Sequence, residues 1–249
     1  MRTDWDYTEL ASAYINRPDY ADAAIDAMLS VARIGRGDKC CDVGAGAAHL
    51  TLILASRGIE IVAVEPNDAM RTNGIKRTKG LANVKWEVGV GEATGQISET
   101  FDLVTFGSSF NVCNRKLALE ETARILVPRG WFACMWNHRE LGDSIQSQIE
   151  RIIKNIVPDY GYGSRRDDQE NVINECGLFG SVVHIDSRVT HNQSIVDCIG
   201  AWRSHATLQR QAGSKFKNVL SDIEQFLYEL GEPTIKVPYK TNIWLAQLK

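Results

Sequence analysis

The fold is decided by Cys40-Cys41-Asp42-Val43-Gly44-Ala45-Gly46-Ala47-Ala48-His49-Leu50-Thr51. A short apolar run ends in an acid, passes through glycines and alanines, and opens a segment with helical apolar spacing, which predicts a strand, a tight turn and a helix. Gly44 and Gly46 allow backbone angles that other residues avoid and let a ligand approach the main chain, and the helix start near His49 offers unpaired N–H groups. Asp42 could accept hydrogen bonds from a cation or a hydroxyl group. The stretch therefore predicts a nucleotide-binding turn, against the simpler alternative of an ordinary turn.

The spacing of the glycines indicates which nucleotide this turn binds. The dinucleotide fingerprint G-x-G-x-x-G/A would require glycine or alanine at position 49, where the chain has His49. The pattern D-x-G-x-G-x-G/A fits better, and here the chain resembles the class I S-adenosylmethionine-dependent methyltransferases, with Ala48 in place of their usual third glycine. The resemblance implies that S-adenosylmethionine is bound by the turn residues Asp42, Gly44, Ala45 and Gly46.

Length and composition set the class of protein. The chain has 249 residues and a formal net charge of -3, which predicts one domain, 1–249, with a sizeable core. The absence of a basic stripe argues against a nucleic-acid partner, and the charge balance and short apolar runs argue against a membrane partner. The N-terminus does not read as a signal peptide, so a soluble, cytoplasmic protein is expected. Neither the six cysteines nor the five histidines have zinc-ligand spacing, so we expect reduced cysteines and no metal site.

An aromatic and polar segment, residues 1–36, precedes the glycine turn. Its run Tyr14-Ile15-Asn16-Arg17-Pro18-Asp19-Tyr20 resembles the lead segment of the small-molecule methyltransferase family that includes trans-aconitate methyltransferase. In that family such a segment lies over the cofactor and helps to shape the acceptor site, so the resemblance implies an N-terminal lid. It places Tyr14 and Arg17 against the cofactor and Tyr7 against the acceptor. The alternative is that these aromatic residues only fasten an N-terminal helix to the domain.

A second apolar strand is predicted over residues 59–64, and it ends in Glu65. Glu65 follows Gly44 by 21 residues, close to the offset of about 20 residues at which an acid binds a nucleotide ribose in such folds. One carboxylate can accept hydrogen bonds from both ribose hydroxyl groups. A helix begins just after this acid, and its Met70 could lie against an adenine ring. Cofactor contacts are therefore predicted for Glu65, Pro66 and Met70.

Two further loops are expected at the same edge of the sheet. After the third predicted strand, Gly91-Glu92-Ala93 contains an acid followed by a small residue, as in the methyltransferase family. The resemblance implies that the Glu92 carboxylate and the backbone N–H of Ala93 recognise adenine. After the fourth predicted strand, Gly107-Ser108 should border the transferred methyl group. Relatives often have a His-Trp pair where this chain has Asn111-Val112, and Asn111 is predicted to face the acceptor.

The stretch from Leu117 to Asn137 resembles the family a second time, far from the glycine turn. It follows the order helix, R-x-L-x-P-x-G, strand and W-N. Together with the alternation of strands and helices, the resemblance predicts an α/β fold with a doubly wound, mostly parallel seven-stranded sheet, the Rossmann-like methyltransferase fold. Residues 137–167 and 187–236 interrupt the alternation, and we expect them to form a helical cap over the ligand edge of the sheet.

The cap and its neighbours contain the candidates for acceptor binding and catalysis. Acceptor contacts are predicted for Tyr7, Asn111, Arg139, Tyr162 and Trp202. A general base would help if the acceptor is a hydroxyl group, and His138 is the first candidate and His205 the second. The alternative for each histidine is a surface position or packing against a helix.

The charge of the acceptor is left open by the sequence. A cationic amine could be bound by the aromatic residues Trp5, Tyr7 and Tyr14. An acidic acceptor could instead be bound by arginines, for which the candidates are Arg17, Arg139, Arg165, Arg166 and Arg203.

The resemblance implies an enzyme that transfers a methyl group from S-adenosylmethionine to an oxygen or nitrogen atom of a small molecule, leaving S-adenosylhomocysteine. This in-line displacement depends mainly on positioning of the acceptor. A homodimer is one form that the protein could take. Two alternatives remain: a protein that binds S-adenosylmethionine without turnover, as a regulatory or partner subunit, and an NAD-dependent oxidoreductase. His49 and Glu92-Ala93 argue against the oxidoreductase.

Overall fold

Seven strands form one sheet in the computed structural model, which describes residues 7–249 of the chain. In chain order they are β1 (Lys39–Val43), β2 (Glu60–Val64), β3 (Val84–Glu87), β4 (Phe101–Gly107), β5 (Leu126–Arg139), β6 (Val183–Ser194) and β7 (Thr234–Gln247). Their order across the sheet is β3-β2-β1-β4-β5-β7-β6, with β1 to β5 parallel and β7 antiparallel to both of its neighbours. The predicted doubly wound, mostly parallel seven-stranded sheet is confirmed.

Helices flank this sheet on both faces and cover its carboxyl edge. Within residues 7–249 they are α1 (Ala11–Tyr14), α2 (Asp22–Ala32), α3 (His49–Ser56), α4 (Asp68–Arg77), α5 (Arg115–Ile125), α6 (Ser144–Ile156), α7 (Glu170–Glu175), α8 (Ile195–Arg203), α9 (Ala206–Ala212) and α10 (Phe216–Glu229). Side-chain caps fix several helix starts: the Asn67 side chain accepts from the N–H of Met70, and that of Asp143 from the N–H of Gln146. None of the helices described between residues 7 and 249 combines the length and apolarity needed to cross a membrane.

Two hydrophobic cores lie on opposite faces of the sheet. Neighbouring residues of a strand contribute to different cores, so Cys40 packs with Leu103 on one face, and Cys41 packs with Val104 on the other. The six cysteines are all free thiols, as expected. A third core lies among α6, α8, α9, α10 and the first half of β7, and it includes Trp202.

The predicted cap interval 187–236 begins and ends in strand. β6 continues to Ser194 and β7 starts at Thr234, because the two strands pair along their whole length, from Val183 opposite Leu245 to Ser194 opposite Thr234. The helices α8, α9 and α10 occupy only the part between these strands. In the interval 137–167, the first residues belong to β5, followed by α6 and a short 3-10 turn, Gly163–Arg166.

Candidate functional site

The glycine turn joins β1 to α3 and contains three residues with positive φ. Gly44, Gly46 and Ala48 have φ angles of 69°, 57° and 70°. A side chain at Gly44 has no room, because an added Cβ would lie 2.4 Å from the Cβ of Ser109. The N–H of Gly44 donates to the carbonyl oxygen of Val64 at 2.8 Å. The turn is therefore held between the end of β2 and the loop that follows β4.

A cleft opens beside this turn at the carboxyl ends of β1, β2 and β4, and we call it the glycine-turn cleft. Ten of the fourteen residues predicted to bind the cofactor line it: Tyr14, Gly44, Gly46, Glu65, Pro66, Met70, Gly91, Glu92, Gly107 and Ser108. The remaining wall comes mainly from Tyr7 and from the loop after Ser109. Residues that are scattered along the sequence thus meet in one space.

Glu65 lies at the centre of this cleft, and its side chain is held rigidly. The residue is 7% exposed. Its Oε2 accepts from the N–H of Gly46 at 2.9 Å, and its Oε1 accepts from the N–H of Asn67 at 2.8 Å. Burial raises the pKa of this carboxyl group. Each carboxylate oxygen can accept two hydrogen bonds, so each retains one acceptor position for a ligand in the cleft.

A second cavity adjoins the cleft on the side of β5, and we call it the arginine cavity. Parts of α8, α9 and the turn Gly163–Arg166 cover it. It is lined by all seven residues predicted for acceptor binding or catalysis, namely Tyr7, Asn111, His138, Arg139, Tyr162, Trp202 and His205. Residues common to both spaces are Tyr7, Tyr14, Gly44, Gly46, Gly107 and Ser108. The cleft and the cavity therefore meet at the glycine turn and the end of β4.

Residues 41–134, which include the glycine turn, Glu65 and the loop at Gly91, match the family model described as a methyltransferase domain. The sequence of this segment is therefore similar to that of methyltransferase domains.

Curated relatives of this chain are named as methyltransferases as well. An uncharacterized methyltransferase of Schizosaccharomyces pombe is 32% identical over 134 residues, which cover 53% of this chain and 52% of the relative. The chain thus spans about half the length of the curated relatives it matches.

Two solved structures share the fold of this chain over most of its length. Phosphoethanolamine N-methyltransferase 2 of Haemonchus contortus, in complex with phosphomonomethylethanolamine and S-adenosylhomocysteine, covers 98% of this chain and 60% of its own, with a TM-score of 0.58 and 13% identity. The [4+2]-cyclase SpnF covers 94% of this chain and 84% of its own, with a TM-score of 0.56 and 15% identity. At these identities both structures are evidence of the fold alone.

Residues 14–19 of the N-terminal segment contact α3 and reach the end of α8. Arg17 donates from Nε to Ser204 Oγ at 3.2 Å and from Nη2 to the Ser204 carbonyl oxygen at 2.8 Å, with its guanidinium 4.0 Å from the ring centre of Tyr14. His49 bridges Asp19, at 3.0 Å, and the carbonyl oxygen of Tyr14, at 3.1 Å. Arg17 was predicted at the cofactor, but it lines the arginine cavity and fastens this segment to α8. Trp5, the other predicted aromatic residue, lies outside the described residues.

Asp42 differs from its predicted role. Its two carboxylate oxygens accept from the hydroxyl groups of Thr51, at 2.7 Å, and Thr105, at 3.0 Å. The residue is 1% exposed, and burial raises the pKa of its carboxyl group to about 6. Asp42 and Ala45 line the arginine cavity rather than the glycine-turn cleft. Asp42 therefore connects the end of β1 to α3 and β4.

Ala93 also differs from its predicted role. Its N–H donates to the carbonyl oxygen of Val90 at 3.1 Å, inside a tight turn, and the residue lines neither the cleft nor the cavity. Because this N–H already donates to Val90, it is not free to form the predicted hydrogen bond to adenine. The neighbouring Glu92 lines the cleft, and its carboxylate accepts from the N–H of Asn114.

Both candidate bases are buried among cations. Burial and the nearby Arg166 and Arg165 lower the pKa of His138 to about 3, and its Nε2 is buried without a partner among the described residues. Burial and Arg165 hold the pKa of His205 well below its usual range. Nδ1 of His205 accepts from the N–H of Leu208 at 3.2 Å and caps α9, and its Nε2 lies 3.0 Å from Nη2 of Arg165. This geometry favours the helix-packing alternative for His205 and leaves His138 as the neutral imidazole of the cavity.

The shifted pKa of His138 predicts a pH-dependent stability. In the unfolded chain a histidine has a pKa of about 6.5, so below that pH the unfolded state binds a proton that the folded state does not bind until about pH 3. The free energy of unfolding should therefore fall as the pH falls from 6.5, by about 2 kcal/mol at pH 5.0 from this residue. Urea unfolding at pH 7.5 and 5.0 measures this, and the decrease should be about 2 kcal/mol smaller in His138→Gln. Asp42 contributes equally to both proteins, and equal decreases would contradict the prediction.

Proposed function

We propose that this chain binds S-adenosylmethionine in the glycine-turn cleft and transfers its methyl group to an oxygen or nitrogen atom of a small molecule held in the arginine cavity. The observation that carries the proposal is the junction of the two spaces. The cleft that contains Glu65 and the separate cavity share Gly107 and Ser108, and the other side chains common to both linings are those of Tyr7 and Tyr14.

The residues of the cleft fit the cofactor. Each carboxylate oxygen of Glu65 retains one acceptor position, which matches two ribose hydroxyl groups. Gly44 leaves the main chain bare where a Cβ would collide with Ser109. Buried Met70 offers an apolar surface for adenine, and Glu92 lines the same end of the cleft. These residues would hold the adenosine part of the molecule.

S-adenosylmethionine supplies an electrophilic methyl group on a sulfonium ion when it is bound. The chain then has to hold the acceptor in line and to exclude water. Rings of Tyr7 and Tyr14 line both spaces, in the segment that Arg17 fastens to Ser204. A fixed near-attack geometry of this kind can lower the activation free energy of methyl transfer by about 7 to 11 kcal/mol. If the acceptor is a hydroxyl group, the pKa of about 3 makes His138 a weak base, and its Nε2 can orient that hydroxyl group by accepting a hydrogen bond from it.

Three finer assignments belong to the same proposal. The position of Tyr14 beside both spaces, with Arg17 and Tyr20 beside the arginine cavity, supports the likeness to the family of trans-aconitate methyltransferase. The open junction of cleft and cavity supports turnover over a binding protein that only holds the cofactor. We further expect a small-molecule acceptor and no nucleic-acid partner, in the cytoplasm, with a homodimer as one form.

Titration calorimetry with S-adenosylhomocysteine tests the proposal, with NADH as the comparison ligand. We expect S-adenosylhomocysteine to bind with micromolar affinity and NADH to give no heat. Mass spectrometry should then detect S-adenosylhomocysteine production from S-adenosylmethionine with one class in a panel of amines, alcohols and carboxylic acids. Binding without any turnover would favour the non-catalytic alternative, and NADH binding alone would favour the oxidoreductase.

A further inference from the structure

Three arginines on the wall of the arginine cavity have no acidic partner among residues 7–249. Arg139, Arg165 and Arg166 belong to none of the ion pairs found there. Asp42, the only acid that residues 7–249 contribute to the cavity lining, is bonded to two threonine hydroxyl groups. Glu150 is near Arg166 but pairs with Lys154 at 2.8 Å. The cavity wall therefore carries uncompensated positive charge.

Aromatic rings and neutral acceptors hold these guanidinium groups in place. Arg139 lies 4.2 Å from the ring centre of Trp202, and Arg166 lies 4.2 Å from that of Tyr162. Arg166 also donates to the carbonyl oxygen of Arg139 at 3.0 Å. Stacking fixes the plane of a guanidinium group without using its N–H donors. The Nε atoms of Arg139, Arg165 and Arg166 are buried, and each lacks a hydrogen-bond partner in the described part of the chain.

This arrangement is unfavourable for the protein by itself. Burial and the nearby charges of Arg17 and Arg166 together lower the pKa of Arg165 to about 10. Burial also lowers the pKa of Arg166. Buried N–H donors without partners and like charges at close range both destabilise a folded state. A ligand that brings negative charge and several hydrogen-bond acceptors would remove both penalties.

We propose that the acceptor is an anion, and that a carboxylate or phosphate group of the acceptor is bound in the arginine cavity by Arg139, Arg165 and Arg166. The proposal rests on the proposed function, because it names the substrate class of the same site. Arginine forks match the planar carboxylate and the phosphate oxygens, and two or three of them together discriminate against neutral and cationic molecules.

The test is titration calorimetry of the protein saturated with S-adenosylhomocysteine, at constant ionic strength, with citrate, inorganic phosphate, glycerol and choline as probes. We expect citrate or phosphate to bind and glycerol and choline to give no heat. Comparison of citrate with phosphate distinguishes a carboxylate site from a phosphate site. Arg139→Gln and Arg166→Gln should each weaken binding of the anion at least tenfold, while circular dichroism melting shows that both variants fold.

Arg203→Gln is the matched control, because Arg203 follows Trp202 on α8 but is exposed and paired with Glu224 at 3.2 Å. It should leave binding of the anion unchanged. Equal weakening by all three variants would indicate unspecific surface attraction and would overturn the proposal, as would binding of choline or glycerol in preference to both anions.

S-adenosylhomocysteine is titrated first in the same experiment. Its failure to bind would refute the proposed function, whereas its binding without any binding of an anion would refute only the anionic acceptor.

Discussion

Gly44→Ala is expected to abolish detectable S-adenosylhomocysteine binding, with at least a hundredfold loss of affinity. The new Cβ would lie 2.4 Å from Ser109 Cβ and 2.9 Å from its Oγ, so the turn and the loop after β4 must move apart. The φ of 69° adds a left-handed penalty of about 1 to 2 kcal/mol for a residue with a side chain. Calorimetry with S-adenosylhomocysteine measures the effect.

Two further variants separate the collision from the backbone strain. Gly95 has φ of 74°, and an added Cβ there meets no atom within 4 Å, so Gly95→Ala carries the strain alone and should bind normally. The double variant Gly44→Ala, Ser109→Gly removes the colliding atoms and should regain part of the affinity, although it loses the hydrogen bond from Ser109 Oγ to Val43. A Gly44→Ala protein with unchanged affinity would show that the turn does not contact the cofactor.

Glu65→Gln should weaken S-adenosylhomocysteine binding by about a hundredfold or more. In the unchanged protein the two Glu65 oxygens accept from the N–H groups of Gly46 and Asn67. A glutamine has only one acceptor oxygen, so its NH2 group would face one of these two N–H donors and could not accept from it. Hydrogen bonds to a charged group contribute about 1.5 to 3 kcal/mol each, and every 1.4 kcal/mol is a factor of ten in affinity. Calorimetry is again the measurement.

The matched control for this variant is Glu60→Gln. Glu60 begins the same strand that Glu65 follows, but its side chain is exposed. This control should bind S-adenosylhomocysteine as the unchanged protein does. If Glu65→Gln lost less than threefold in affinity, Glu65 would not be the residue that holds the ribose.

The meeting of the predicted residues in the glycine-turn cleft could be foreseen because the sheet topology places them there. The carboxyl ends of parallel strands meet at one edge, so an acid that ends β2 must lie beside the turn that ends β1. The position of Glu65 beside the glycine turn could be predicted from its spacing of 21 residues after Gly44 alone. For Ala93 the same reasoning was insufficient, since the use of its N–H by Val90 depends on a local turn geometry that residue types do not determine.

The acceptor side was less predictable because its charges meet through tertiary packing. Arg139 ends β5, whereas Arg165 and Arg166 come from a short turn beyond α6. Their residue type left an acidic acceptor as one of two alternatives, and only the structure shows that none of them is paired with a carboxylate among the described residues. His49 was considered only as a departure from a dinucleotide fingerprint, and its bridge from α3 to Asp19 and Tyr14 had no signal in the sequence.

The final strand has a consequence for synthesis of the protein. In the sheet formed by the described residues, β6 is an edge strand and pairs only with β7, which lies between β5 and β6. On the ribosome, β6 therefore emerges before any strand with which it can pair, and α8 to α10 follow before its partner is made. The part of the sheet formed by β5, β7 and β6 can assemble only when residues Thr234–Gln247 have left the ribosome. Until then β5 has an open edge, so the arginine cavity, which the end of β5 and Tyr239 of β7 both line, is completed only after β7 has been made.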